Sequence, residues 1–226
     1  MHMYHTRNKM KKYTTVLFDL DGTLTDPGEG IVNSVLYALN KYGIKVDDKK
    51  SLCKFIGPPL LVSFSTYYGF SEEKSREAIA FYREYYKDKG INECKLFDGI
   101  RELLESLKDA GYKVALATSK PELFAHIVLQ NYDIDKYFDF IGGATIDEKT
   151  RYTKEHVIEY VLSNIEEKDR GKIVMIGDRC FDINGAKAYN LDSIGVTFGY
   201  GSYNELKEAN ATYIVNTPKE IENILL

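Results

Sequence analysis

The stretch YTTVLFDLDGTLTD, Tyr13–Asp26, joins a short apolar segment directly to a group of acidic and small residues. An uninterrupted apolar run with β-branched residues is typical of a strand buried on both faces, as in a parallel sheet. Asp19 and Asp21 come at the end of that run, and Gly22 beside them fits a loop in which the chain bends. This stretch therefore predicts a buried strand that ends at two carboxylates.

Runs of the same kind recur along the chain and alternate with segments of helical periodicity. The further predicted strands are Tyr112–Ala117, Phe138–Ile141, Lys172–Ile176, Ser193–Thr197 and Tyr213–Val215. The predicted helices among them are Gly99–Ala110, Pro121–Asn131, Thr153–Asn164 and Ile183–Asn190. Strands that alternate with helices of this length form βαβ units. The sequence thus predicts an α/β fold, a doubly wound, Rossmann-like parallel sheet with helices on both faces.

One long segment interrupts this alternation. Between residues 29 and 92 the sequence shows no buried strand, and its helical patterns are Ile31–Tyr42, Pro59–Tyr68 and Glu72–Lys87. We therefore predict an all-α insertion between the first and second strands. The expected division is a flexible arm at 1–12, an α/β core at 13–27 and 94–226, and a helical cap domain at 28–93.

The composition excludes several classes of protein. The chain has 226 residues, 44% of them hydrophobic, and 30 Lys+Arg against 34 Asp+Glu give a formal net charge of -4. This balance gives no general attraction for a nucleic acid polymer or an acidic membrane surface, and no apolar run is long enough to span a bilayer. Because three cysteines are too few for a disulfide framework, we expect a cytoplasmic protein. Met10 is an alternative start of the chain.

Polar residues follow several of the predicted strands at the point where each strand ends. In open α/β sheets, ligands bind beyond the carboxyl ends of the strands, so we expect these residues to meet at one edge. Two unit charges about 4 Å apart interact by about 4 kcal/mol at an effective dielectric near 20, so clustered carboxylates need a cation or protonation. All-oxygen ligands suit a hard divalent ion such as Mg²⁺. The residues are Asp19, Asp21, Thr118, Ser119, Lys154, Asp178 and Asp182.

A helix N-terminus is predicted at the same edge. Ser119 is expected to cap a helix that has Pro121 in its first turn, so that backbone N–H groups point toward the carboxylates. Carboxylates, a hard cation, hydroxyl groups, a lysine and a helix N-terminus together favour the binding of a phosphoryl group.

Four motifs of the sequence resemble those of the haloacid dehalogenase-like (HAD) hydrolase superfamily. They are DxDGT at Asp19–Thr23, the pair Thr118-Ser119, Lys154, and GDxxxD at Gly177–Asp182, in the family's order. The helical insertion resembles the α-helical cap of the phosphoglycolate phosphatase-like branch. The segments GDRCFDINGAKA, GYGSYNEL and ATYIV are most similar to members described as phosphoglycolate phosphatases or 5'-nucleotidases.

The resemblance implies a Mg²⁺-dependent phosphatase that hydrolyses a small phosphorylated metabolite through an aspartyl-phosphate. Asp19 would be the nucleophile, and Asp21 would protonate the leaving group and then activate water. The Asp19 carboxylate, the backbone carbonyl of Asp21 and the Asp178 carboxylate would hold Mg²⁺. Asp182 would orient a metal water or Lys154.

The same resemblance implies which residues bind the phosphoryl group and select the substrate. Thr118 and Lys154 would hold phosphoryl oxygens, assisted by backbone N–H groups around Gly22 and Ser119. The cap would supply a loop that contacts the substrate and excludes water. The specificity candidates are Phe55, Gly57, Pro58 and, in the core, Arg151.

Several alternatives stay open on the sequence. A phosphomutase of the β-phosphoglucomutase type would carry the same four motifs, and a receiver-like signalling module would also phosphorylate an aspartate, although receivers lack the helical insertion. Cap aromatics could stack on a nucleobase, but the helical spacing of Ala78, Phe81, Tyr82 and Tyr85 favours core packing. A monomer and a homodimer both fit the sequence.

Overall fold

The structure, a computed structural model, describes residues 11–147 and 149–226, so most of the predicted arm, with Met10, lies outside the described residues. A six-stranded parallel sheet in the order β5-β4-β1-β6-β7-β8 confirms the predicted doubly wound architecture, and β2 pairs separately with β3. The strands are β1 (Thr15–Phe18), β2 (Thr25–Asp26), β3 (Lys95–Leu96), β4 (Lys113–Pro121), β5 (Phe140–Ala144), β6 (Ile173–Gly177), β7 (Asp192–Val196) and β8 (Tyr213–Val215).

Helices cover both faces of this sheet. Alternate residues of β1 point to opposite faces, so Val16 and Phe18 pack in one apolar cluster while Leu17 packs in another. Short 3₁₀ turns occur at Lys49–Phe55, Gly90–Asn92, Asp135–Tyr137 and Arg170–Lys172. The helices are α1 (Gly28–Lys41), α2 (Leu60–Tyr68), α3 (Glu72–Asp88), α4 (Ile100–Asp109), α5 (Glu122–Asn131), α6 (Lys154–Asn164), α7 (Cys180–Ala188), α8 (Tyr203–Glu208) and α9 (Pro218–Leu225).

The order of the strands determines where a ligand can bind. From β1 the sheet extends through β4 and β5 on one side and through β6, β7 and β8 on the other. Crevices at such reversals of strand order, beyond the carboxyl ends of the strands, are the binding sites of doubly wound sheets. The carboxyl end of β1, where Asp19 and Asp21 follow the strand, occupies that position.

The helical insertion leaves and rejoins the sheet through a small antiparallel pair. β2 and β3 pair through Thr25 with Leu96 and Asp26 with Lys95, and helices α1, α2 and α3 lie between them in the chain. Pairing the outgoing and returning segments side by side places the insertion next to the carboxyl end of β1.

The aromatic residues of α3 pack in the interior. Ala78, Tyr82 and Tyr86 are buried, and the Tyr86 ring lies 5.4 Å from the Phe124 ring of α5. The predicted core packing is present at Ala78 and Tyr82, but the buried row continues to Tyr86 and leaves out the predicted Phe81 and Tyr85. Residues four apart share one face of a helix, so the row runs from Ala78 to Tyr82 to Tyr86.

Two short helices were not predicted, and α7 begins three residues before the predicted Ile183. Both missed helices carry recognisable start patterns: the Ser202 side chain accepts from the Glu205 amide at α8, and Thr217 precedes Pro218 at α9. Among the described residues, no helix combines the length and the apolar character needed to cross a bilayer.

Candidate active site

Three neighbouring strands bring the predicted site residues together. β1 pairs in parallel with β4 on one side and with β6 on the other, so their carboxyl ends lie at one edge. Asp19 follows β1 and donates its amide to the Ile176 carbonyl at 2.9 Å, Thr118 lies near the end of β4, and Asp178 follows β6. The predicted convergence of these residues is present in the structure.

Three carboxylates form the centre of the site. Asp19, Asp178 and Asp182 each contribute an oxygen to a group in which all the atoms lie within 4.8 Å of one another, and all three residues are buried. Burial and then the charges of Asp182 and Asp19 raise the pKa of Asp178 far above its usual range. Burial also raises the pKa of Asp182 to about 6, although Lys154 opposes the rise. The group has more negative charge than its surroundings neutralise.

Lys154 supplies positive charge to this group. Its Nζ lies 2.8 Å from Asp19 Oδ1 and 2.7 Å from Asp182 Oδ1, and it donates to the Ala117 carbonyl at 2.9 Å. Burial alone would lower the pKa of Lys154, but the charges of Asp182 and Asp19 outweigh burial and raise it. Lys154 is placed by the start of α6, where the Thr153 side chain accepts from the His156 amide.

The group fits a divalent cation. Asp19 Oδ1 and Asp182 Oδ1 are buried without a hydrogen-bond partner, and Lys154 approaches them at ion-pair distance without hydrogen-bond angles. One ammonium cannot neutralise three carboxylates, and buried charge without compensation is costly. Hard cations take such all-oxygen ligand sets. The Asp21 carboxylate does not belong to this group. This agrees with the family resemblance, which implied that Asp21 contributes its backbone carbonyl, and not its side chain, to the metal.

Asp178 is held in a narrow space by neighbouring backbone. Its Oδ2 accepts from the Tyr200 amide at 2.7 Å, and a Cβ on Gly22 would lie 2.2 Å from the same oxygen. Gly22 has a φ of +84°, which L side chains rarely adopt. The amide of Gly22 itself donates to the Thr25 carbonyl at 2.7 Å, so this N–H is used within the loop, and phosphate binding by the other N–H groups around Gly22 stays a prediction. Gly22 closes the loop and leaves room for Asp178.

We expect Gly22→Ala to lower the free energy of unfolding by about 2–4 kcal/mol, because the methyl group requires both a strained φ and a shift of Asp178. Gly111→Ala is the matched control, since Gly111 has a φ of +78° and no atom within 4 Å of an added Cβ. Denaturant unfolding of both variants measures the difference. An equal loss in the two would mean that Asp178 moves aside without cost.

Asp182 serves two neighbours at once. Its Oδ1 lies beside Lys154, and its Oδ2 accepts from the Arg179 amide at 3.0 Å, one turn back at the start of α7. One oxygen is therefore placed to orient Lys154, as the resemblance implied, and the other accepts a hydrogen bond at the start of α7.

Lys120 was missed by the sequence analysis. Its Nζ lies 2.6 Å from Asp21 Oδ1 and 2.5 Å from Oδ2, and it is only 8% exposed. Burial raises the pKa of the Asp21 carboxyl, although the charge of Lys120 opposes the rise. Lys120 directly follows the Thr118-Ser119 pair, but nothing in a single sequence distinguishes it from a solvated lysine.

Ser119 does not have the predicted role of capping a helix, although it and Thr118 both lie at the site. β4 continues through Pro121, α5 begins at Glu122, and the cap position is Pro121 with no side-chain hydrogen bond, so Ser119 does not cap the helix. The physical reason is that a residue before proline avoids the helical conformation, which keeps Lys120 extended. Ser119 lines the cavity beside Asp19, and the buried Thr118 hydroxyl accepts from the Lys120 amide at 3.2 Å.

A cavity separates the carboxylates from the helical insertion. Phe55, Gly57 and Pro58, three of the four specificity candidates, line it together with Asp19 and Asp21. Further lining residues are Thr118, Lys120, Tyr82, Tyr86, Phe124 and Tyr152.

The core holds the loop of the insertion in place at this cavity. Arg179 Nη1 donates to the Ile56 carbonyl at 2.6 Å, while its Nε donates to Glu205 at 2.9 Å. Next to Ile56, Gly57 has a φ of +106°, and a Cβ there would lie 3.1 Å from the Arg179 side chain. A core residue adjacent to Asp178 therefore contacts the loop that carries the specificity candidates.

Arg151 is not among the residues that line the cavity in the described structure, although its neighbour Tyr152 is. Its guanidinium pairs with Glu122 at 2.9 Å, donates to the Gly143 carbonyl, and lies 3.6 Å from the Tyr160 ring centroid. The expectation that Arg151 selects the substrate is therefore not supported. Its guanidinium instead connects the segment before α6 to Gly143 of β5 and to Glu122 of α5.

This arrangement suits transfer of a phosphoryl group. A buried carboxylate lies beside a lysine and two further carboxylates, a hydroxyl lies nearby, and a carboxylate with a raised pKa, Asp21, faces the cavity. A nucleophile, charge stabilisation and a proton donor are what displacement at phosphorus requires.

Comparison with known proteins agrees with this chemistry. A family model described as haloacid dehalogenase-like hydrolase matches residues 16–196. The chain is similar to a 5'-nucleotidase of Pseudomonas aeruginosa, with 43% identity over 207 residues that cover 92% of this chain and 93% of that protein. It is also similar to a phosphoglycolate phosphatase of Colwellia psychrerythraea, with 31% identity and coverage of 94% and 97%. A tyrosine-protein kinase PtkA of Mycobacterium tuberculosis is 37% identical, over 89% of this chain and 68% of that protein.

Solved structures resemble most of the chain. A crystal structure of a predicted phosphatase from Clostridium acetobutylicum has a TM-score of 0.91 and 52% identity, and the match covers 93% of this chain and 97% of that one.

Proposed function

The chain belongs to the haloacid dehalogenase-like hydrolase family as a phosphatase, and we propose that it hydrolyses phosphate monoesters of small metabolites through a phosphoaspartate on Asp19, with Mg²⁺ as cofactor. The observation that carries this proposal is the buried group of Asp19, Asp178 and Asp182 with Lys154, beside Asp21 at the end of β1. Three separate sequence motifs supply these residues: DxDGT, Lys154 and GDxxxD.

In the first step, an oxygen of the Asp19 carboxylate attacks phosphorus and the bond from phosphorus to the ester oxygen breaks. Asp21, protonated, gives its proton to that oxygen, so the alcohol leaves neutral and Asp21 becomes a carboxylate. The Thr118 hydroxyl and the Lys154 ammonium hold the phosphoryl oxygens. Splitting one difficult displacement into two easier steps is the advantage of a carboxylate nucleophile.

In the second step, the Asp21 carboxylate takes a proton from water, and the water oxygen attacks phosphorus. The bond from phosphorus to Asp19 breaks, inorganic phosphate leaves, and Asp19 and Asp21 return to their initial states. The sum is an ester and water converted to an alcohol and phosphate.

The carboxylates of Asp19 and Asp178 and the main-chain carbonyl of Asp21 would hold Mg²⁺. When bound, the ion supplies positive charge that offsets repulsion between a carboxylate nucleophile and a phosphate dianion. Asp182 keeps Lys154 directed at Asp19, since the lysine lies between the two carboxylates.

We further propose that residues 28–93 act as a cap over a core of 13–27 and 94–226. Phe55, Gly57 and Pro58 face the cavity and would exclude water and contact the leaving group. Nucleoside 5'-monophosphates and phosphoglycolate are the first substrates to test, because relatives at 43% and 31% identity carry those two names. A cytoplasmic location belongs to the same proposal.

We expect Mg²⁺-dependent phosphate release in a panel of phosphoglycolate, nucleoside monophosphates, sugar phosphates, pyrophosphate and phosphotyrosine. Excess EDTA should abolish release, and added Mg²⁺ should restore it. If kcat/KM for nucleoside monophosphates exceeds that for the other esters by about tenfold, which corresponds to about 1.4 kcal/mol, the protein is a 5'-nucleotidase. Undiminished activity in EDTA would contradict the proposal. Conversion of glucose 1-phosphate to its isomer, followed by NMR, would instead identify a phosphomutase.

A further inference from the structure

Lys120 occupies both side-chain oxygens of Asp21. Its Nζ lies 2.6 Å from one oxygen and 2.5 Å from the other, in an ion pair between β4 and the loop that follows β1. A bidentate contact restricts rotation of a carboxylate about its own axis more than a single contact does, because moving either oxygen lengthens one of the two bonds.

The surroundings of Lys120 hold its ammonium in place. Lys120 is 8% exposed, its amide donates to the Thr118 hydroxyl, and its Nζ lies 5.3 Å from the centroid of the Tyr86 ring. Tyr86 belongs to α3 of the helical insertion and packs edge-on against Phe124 of α5. The ammonium therefore lies between the carboxylate of Asp21 and an aromatic face of the insertion.

We propose that Lys120 is a positioning residue that holds the Asp21 carboxyl toward the leaving-group side of the cavity. Asp21 stands apart from the carboxylates of Asp19, Asp178 and Asp182, and Lys120 holds it there by occupying both of its oxygens. This proposal rests on the proposed function, because it gives Lys120 a role only if Asp21 exchanges a proton with the leaving oxygen.

Substrates with different leaving groups can distinguish positioning of Asp21 from a purely structural role of Lys120, because only some leaving groups need a proton. An alkoxide leaves from a nucleoside monophosphate and needs protonation, whereas p-nitrophenolate is stable as an anion. The kinetic parameter to compare is kcat/KM, because it reports the steps up to departure of the first product and excludes hydrolysis of the phosphoaspartate.

We expect Lys120→Met to lower kcat/KM for the nucleoside monophosphate by about 100-fold or more, and for p-nitrophenyl phosphate by no more than about threefold. Lys113→Met is the matched control, since Lys113 is an exposed lysine at the other end of the same strand, and it should leave both values unchanged. An equal fall on both esters would overturn the proposal, because lost packing or a lost contact to the substrate phosphate affects both.

A second variant keeps the proposal testable if Lys120→Met does not fold. Lys120→Met with Asp21→Asn leaves no buried charge unpaired at this position. If Lys120 acts through Asp21, the double variant should lose no more kcat/KM on the nucleoside monophosphate than Asp21→Asn alone. A further tenfold loss would overturn the proposal. Absence of phosphatase activity in the wild-type protein would contradict the proposed function itself, which separates the two failures.

Discussion

Phosphate release by the Asp19→Asn variant is expected to fall by about 10⁴-fold or more on every ester that the wild-type protein hydrolyses. The asparagine amide has nearly the same shape as the carboxylate but cannot serve as the anionic nucleophile. The other carboxylates described at the site are already engaged, because Lys154 and the Arg179 amide hold Asp182, the Tyr200 amide holds Asp178, and Lys120 holds Asp21.

The fold of the same variant should remain intact. Asp19 is one of three buried carboxylates near a single ammonium, so its neutralisation reduces repulsion, and Lys154 keeps its partner Asp182. We therefore expect the melting temperature of Asp19→Asn without metal to equal or exceed that of the wild type. Added Mg²⁺ should raise the melting temperature of the wild type more than that of the variant, because the variant lacks one charged ligand.

Mass spectrometry and a matched aspartate complete this test. Rapidly denatured wild-type protein with substrate should carry one extra phosphoryl group, and Asp19→Asn should carry none. Asp109→Asn, at an exposed position at the end of α4, should behave as the wild type in every assay. Substantial turnover by Asp19→Asn would exclude a phosphoaspartate at this position.

Patterns read from the sequence predicted the sheet because they depend on local chemistry. Apolar runs buried on both faces identified β1 and β6, and even the short β8 lies at the predicted Tyr213–Val215. The convergence of Asp19 and Asp178 follows from the parallel sheet alone, since parallel neighbours end at the same edge.

Contacts between distant residues could not be read in the same way. The pairing of Lys120 with Asp21 joins residues 99 positions apart, and it depends on β4 continuing through Pro121 instead of ending at the predicted Ala117. The partners of Arg151 likewise come from β5 and from Glu122 of α5. In each case the sequence showed the charge but not its partner.

The pH dependence of stability follows from the carboxylates around Lys154. A carboxyl whose pKa is raised in the folded state binds a proton more tightly there, so its contribution to stability is present at low pH and lost as pH rises. For Asp182 this loss occurs between its ordinary range and about pH 6. Lys154 limits the loss, because its charge opposes the rise in pKa.

Lys154→Met should consequently lower the free energy of unfolding by about 3–5 kcal/mol at pH 8, because Asp19 and Asp182 would be left buried without their cation. Without this charge the pKa of Asp182 would rise further, so the deficit relative to the wild type should shrink as pH falls from 8 to 5. Hydrolysis should fall as well, since the same ammonium lies 2.8 Å from the nucleophile. Urea unfolding at both pH values measures the stability difference.

Two companion variants decide whether charge is the cause of that deficit. Lys154→Met with Asp182→Asn removes one of the unpaired carboxylates and should recover part of the lost stability at pH 8. Lys187→Met, at an exposed position on α7, should change stability little at either pH. If the deficit of Lys154→Met were the same at pH 5 and pH 8, lost packing of the lysine stem would explain it. In that case the lysine would not neutralise the carboxylates, and the nucleophile at Asp19 would depend on a bound cation alone.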